Sequence, residues 1–177
     1  GAAYEGAPTP VSPPPTATPI ANEFRSFATY SEPRTGFSMT YPEDWQDAPT
    51  SSAARDICEN ATICFSYQDI GLLVIIIEDL NDFGVRDLTL EDYVIEVKSR
   101  SAGDEMFTLV KDEPFVTESG LEGHILSNTI QAVDLVTVQR LIIEDGFAYT
   151  ITYFFPESLL ERIEPGVLYS LGSIDIP

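Results

Sequence analysis

Between residues 35 and 41 apolar and polar side chains alternate: Phe37, Met39 and Tyr41 fall on one side and Ser38 and Thr40 on the other, the period of a half-buried strand. Pro42 has no amide to give to a ladder and is expected to end it. Ile63–Tyr67 and Leu72–Glu78 form two further β runs around Gln68-Asp69-Ile70-Gly71, a hairpin signal. The second run is apolar at every position from Leu72 to Ile77, so both of its faces need cover, which first suggests a three-layer domain. Thr89-Leu90-Glu91-Asp92 has the form of a capping box with Asp in the last place. Beyond it Leu90, Tyr93, Val94 and Val97 repeat at the spacing of one helical face, and Gly103 is placed to end that helix.

Four more strands are expected at 108–114, 121–131, 134–143 and 147–155, the last two joined through Glu144-Asp145-Gly146, so that the run is antiparallel. Phe147, Tyr149, Ile151 and Tyr153 form an aromatic-rich row on one face of the final strand, with Ala148, Thr150 and Thr152 on the other. A packing layer must receive that row. Residues 156–163 begin a short helix that Pro165 is expected to interrupt, after which Val167, Leu168 and Leu171 supply a terminal helical face.

Residues 1–22 break from this pattern. Pro8, Pro10, Pro13, Pro14, Pro15 and Pro19 are interleaved with Ala, Thr, Ser and Val, a composition that cannot bury a core. Proline fixes φ, so the segment favours an extended polyproline form, and at about 3.1 Å per residue it could reach roughly 70 Å. It reads as a spacer, with one domain from residue 23 to 177. The longest apolar run, Leu72–Ile77, falls far short of the ~20 residues that span a bilayer, so a soluble, monomeric head is expected. The chain opens at Gly1 rather than Met, which implies processing upstream, where an export signal or lipid anchor would lie.

Twenty-nine acidic against nine basic side chains leave a formal charge of −20. Nucleic acid and anionic membrane surfaces are disfavoured as partners, because both need a stripe of Lys and Arg and the only lysines are Lys98 and Lys111. The excess of acid serves solubility, or attracts cations or a basic partner. Five residues separate Cys58 from Cys64, close enough for a disulfide in an exported protein; two reduced, packed thiols are the other reading. With His124 the lone histidine, a zinc set is incomplete. Asn60-Ala61-Thr62 is a glycosylation sequon, relevant only in a eukaryotic secretory pathway.

The opening Gly36-Phe37-x-Met39-x-Tyr41-Pro42-x-x-Trp45, a helix after the long central strand, the antiparallel run closing on Asp145-Gly146, and a terminal helix ending Leu171-Gly172-Ser173-Ile174 together resemble the PsbP family. The resemblance covers residues 30–176 in order of elements and implies an α+β fold, a three-layer α/β/α sandwich around a mostly antiparallel sheet. It also implies a domain that assists other complexes rather than a catalyst. The Pro/Thr segment is similar to that of bacterial lipoprotein relatives in the family. No functional residue carries over: where plant members are reported to bind metal through a histidine, this chain has Asp134.

Candidate chemistry is sparse. His124 is the one near-neutral proton shuttle, and its place within a strand beside Gly123 favours a hydrogen-bonded sheet histidine. No Gly-x-Ser-x-Gly elbow or Gly-rich phosphate loop occurs, so no catalytic residue and no organic cofactor is expected. Asp79, Asn81 and Asp82 gather oxygens in a tight turn, the place for a weakly bound calcium ion. The EF-hand pattern fails at Phe83 and at Leu90, where a bidentate Glu is required, and a solvated Asx turn is the favoured reading. The chain is therefore expected to be an extracytoplasmic, membrane-tethered, non-catalytic module that binds a protein partner, with a small-ligand or divalent-cation carrier as the alternative.

Overall fold

A computed structural model describes residues 24–46 and 48–177. The spacer expected over residues 1–22 lies outside the described residues. A hairpin of β1 (Phe27–Ser31) and β2 (Ser38–Pro42) stands apart from a six-stranded antiparallel sheet of β3 (Ile63–Tyr67), β4 (Gly71–Asp79), β5 (Phe107–Val116), β6 (Glu122–Ile130), β7 (Leu135–Glu144) and β8 (Phe147–Phe155). The order across that sheet is β3-β4-β8-β7-β6-β5, which places β8 and β7 at its centre and the apolar β4 beside β8. Helices α1 (Ser52–Cys58) and α2 (Leu90–Ser99) lie on one side, while α3 (Leu160–Gly172) and the hairpin lie on the other. The expected α+β sandwich is what forms.

The side carrying α3 is closed. Leu73, Ile75 and Ile77 of β4 and Tyr149, Ile151 and Tyr153 of β8 meet Ile163, Val167 and Leu171 of α3 in one buried cluster. The family-like opening stretch builds it: Phe37, Met39 and Trp45 are sealed from solvent. Trp45 stacks on Tyr67 and meets Tyr153 edge-on. Its ring lies so close over Gly71 that a Cβ there would sit 2.5 Å from the indole. Gly36 turns the hairpin at φ +79° beneath the ring of Pro177, so the last residue covers the start of the motif. Polar ties cross the same layer: Tyr153 pairs with Ser170 at 2.7 Å, Ser170 Oγ donates to the Thr40 carbonyl, and Ser173 Oγ accepts from the Thr40 amide at 2.8 Å. The resemblance thus rests on core packing.

Two elements escape the sequence pattern. β1 has a single short alternation, and α1 buries no residue at all, so neither carries a periodic apolar face. Two expectations are corrected. Pro165 does not interrupt the terminal helix: α3 runs through it, forgoing one amide bond, because Ile163, Gly166, Val167, Ser170 and Leu171 make one buried stripe across it. Nor does Gly103 end α2, which stops at Ser99, four residues earlier; Gly103 sits at φ +85° in the turn that follows. At its start α2 has the expected cap, Thr89 Oγ1 accepting the Asp92 amide at 3.1 Å.

Candidate functional site

Among the described residues, the side of the sheet bearing α1 and α2 is covered at two places only. Tyr93 and Val94 of α2 pack on Leu126, Leu141 and Ala148, and the Tyr93 hydroxyl bonds Thr150, so α2 shields one end of the strands. Burial pushes the Tyr93 hydroxyl above its ordinary pKa, as expected of a group sealed under a helix. At the other end of the strands, α1 covers the β3–β4 corner. Cys58, its last residue, is bonded to Cys64 on β3, which confirms the pairing reading of the two cysteines.

Between these covers lies an open trough of about 810 Å³. The antiparallel registers Leu109↔Asn128, Asn128↔Thr137 and Gln139↔Thr152 place its floor on one face of β5, β6, β7 and β8. Phe107, Leu109, Leu126 and Phe154 are its apolar surfaces, and residues 97–105 of α2 and the following loop form its wall. Gln139 Nε2 donates to Thr152 Oγ1 at 2.9 Å, which fixes that side chain across the floor. A smaller recess of about 160 Å³ continues from Phe154 under α1, past Leu72 and Ser66. Two apolar side chains that line the trough stand in water, Ile95 at 60% and Leu109 at 43% exposed; Met106 and Val110, chain neighbours of lining residues, the latter in the irregular register between Leu109 and Lys111, are also exposed.

Charges around the trough are unevenly satisfied. Lys98 pairs with Asp112, whose other oxygen meets His124 Nε2 at 2.6 Å, and Arg100 pairs with Glu96 at 3.2 Å. The bonds from Lys98 and then His124 hold the Asp112 carboxyl below its usual range. His124 is accordingly a hydrogen-bonded sheet histidine with its partner on the neighbouring strand. Among the described residues Asp104 and Glu105, in the wall, join no ion pair; the Asp104 carboxylate accepts the Met106 amide at 3.0 Å.

The calcium candidates lie elsewhere, at the end of β4. Asp79 Oδ1 accepts the Asn81 amide at 3.0 Å and starts the 3-10 turn Leu80–Phe83 in which Asn81 and Asp82 are exposed. This is an Asx turn. Among the described residues no three His, Cys, Asp or Glu side chains gather as a metal-binding group.

Comparison with known proteins gives fold-level matches. The solution structure of cyanobacterial PsbP (CyanoP) from Synechocystis sp. PCC 6803 matches with a TM-score of 0.58 and 17% identity, over 93% of this chain and 98% of that one. A Pseudomonas aeruginosa protein of unknown function matches at 0.49 and 18% over 85% and 96% of the two chains. A Bacteroides thetaiotaomicron structure matches at 0.42 and 14% over 84% and 48%. No family model and no curated protein sequence matches the chain. The PsbP-like fold read from the opening motif is the fold observed.

Proposed function

We propose that this chain is a non-catalytic accessory module of bacterial lipoprotein type, held outside the cytosol on its Pro/Thr-rich segment, and that it docks a protein partner in the trough beside α2. The observation that carries the reading is that Ile95 and Leu109, both largely exposed, line one open face together with Phe107 and Phe154, since monomeric domains seldom leave contiguous apolar surface in water without use. The Cys58–Cys64 disulfide supports an oxidising compartment. The likeness in fold to cyanobacterial PsbP supports an accessory role rather than chemistry. His124, the one near-neutral proton shuttle, is engaged by a carboxylate already tied to Lys98.

A photocrosslinking residue at position 109, with a second at Leu168 on α3 as control, tests the proposal in cell envelopes of the source organism. A discrete protein adduct from 109 and none from 168 is the expected result; adducts equal at both, or absent at 109, refute it. Asn128 and Gln139 in the floor favour a second reading, carriage of a small ligand, and the same experiment separates the two, because a carrier forms no protein adduct at 109.

A further inference from the structure

We infer that the trough receives an amphipathic helix whose polar side is basic, supplied by the partner. This inference rests on the docking reading above and names the chemistry of what docks. Shape comes first. On the closed side α3 and the hairpin cover the central strands, whereas on the open side α2 covers one end of the strands and α1 only the β3–β4 corner. The uncovered ground runs from Leu109 on β5 to Phe154 on β8, and its recess reaches Ser66 on β3. Strands lie about 4.8 Å apart, so the uncovered path across these four strands is roughly 14 Å. A helix of about 10 residues is ~15 Å long and fills such a path lengthwise. A seat of this kind takes one apolar helical stripe, as in other helix-in-groove complexes.

Charge then selects the occupant. Both cations that line the trough are neutralised within the chain, Lys98 by Asp112 and Arg100 by Glu96. The carboxylates of Asp104 and Glu105 in the same wall have no cationic partner among the described residues. They stand on a chain of formal charge −20, whose field speeds the approach of a basic segment and repels an acidic one. An apolar floor with unpaired acid on its wall matches a helix with Leu-like residues on one side and Lys or Arg flanking them.

The test uses two synthetic peptides with the same leucine stripe, one with Lys and one with Glu on the polar side, added to the isotope-labelled full chain. The Lys peptide should bind saturably and become helical by circular dichroism, and it should shift the amide signals of Leu109, Asn128, Gln139 and Phe154. The Leu109→Ser/Ile95→Ser variant, which leaves the charge unchanged, should weaken it by about fivefold or more, Asp104→Asn/Glu105→Gln should weaken it at low salt, and Leu168→Ser should not. Equal or tighter binding of the Glu peptide overturns the basic class and leaves the docking reading standing on its crosslinks. Shifts scattered over the acidic surface, indifferent to the Leu109→Ser/Ile95→Ser change, overturn the inference that a helix sits in the trough.

Discussion

The two sides of the central sheet are built on different terms. On the α3 side, aromatic and branched residues from five strands and a helix interlock until Phe37, Trp45, Ile75, Ile151 and Val167 have no measurable exposure. On the α2 side, the floor between the helices is partly polar, α1 buries nothing, and Ile95 and Leu109 face water. Stability and availability are therefore separated across one sheet. A fold that secures itself on one side can leave the other side loosely covered, and that is where a partner has apolar surface to bury.

The largest effect belongs to the closed side. Trp45→Ala removes a sealed indole that packs against Phe24, Tyr67 and Tyr153, and should cost about 3–5 kcal/mol in urea or thermal unfolding. That is a large part of the ~5–15 kcal/mol that holds an ordinary domain together. The contact outweighs a local defect, since the Trp45 Nε1 is buried without a hydrogen-bond partner among the described residues. A loss near the few tenths usual for surface sites would break the contrast between the two sides.

A smaller, pH-dependent effect is expected at the hairpin that closes the same side. Burial acts to raise the Glu32 carboxyl, but hydrogen bonds from the Arg34 amide and guanidinium and from Thr35 outweigh it, and the group sits below its usual range. A carboxyl depressed in the folded state adds stability that is present above its unfolded pKa, about 4.3, and lost as pH falls through the folded value. Glu32→Gln should therefore cost about 1–2 kcal/mol at pH 7 and much less near pH 3. Urea unfolding of both proteins at the two pH values checks this, and a difference independent of pH would remove Glu32 as the acid-sensitive tie.

The closed side was the legible side. Strict alternation placed β8 at its observed bounds, and the continuous apolar run of β4 announced cover on both faces. Gly36, Phe37, Met39, Tyr41 and Trp45 could be recognised as a group because all serve one core. Pro165 misled, since local propensity argues for a break while the stripe from Ile163 to Leu171 has more to gain from continuity. The trough left almost no mark. Leu109, Asn128, Gln139 and Phe154 come from four strands and meet only through register, and a place left uncovered has no motif. The one signal was the polar set opposite the aromatic row of β8, with Thr150 and Thr152 on a face expected to need cover. The unpaired state of Asp104 and Glu105 was equally hidden, because twenty-nine acids make any one of them unremarked until its neighbours are known.

The most direct test of this division of labour is the Leu109→Ser/Ile95→Ser chain, measured for its melting temperature and for partner capture side by side with the parent. Exposed positions away from the core should shift stability by no more than about 0.5 kcal/mol, so the melting curve should stay in place while the adduct from a photocrosslinker at the trough-lining Ala102 disappears. An unchanged adduct at an unchanged melting temperature would contradict the claim that the open side of the sheet is where this protein works.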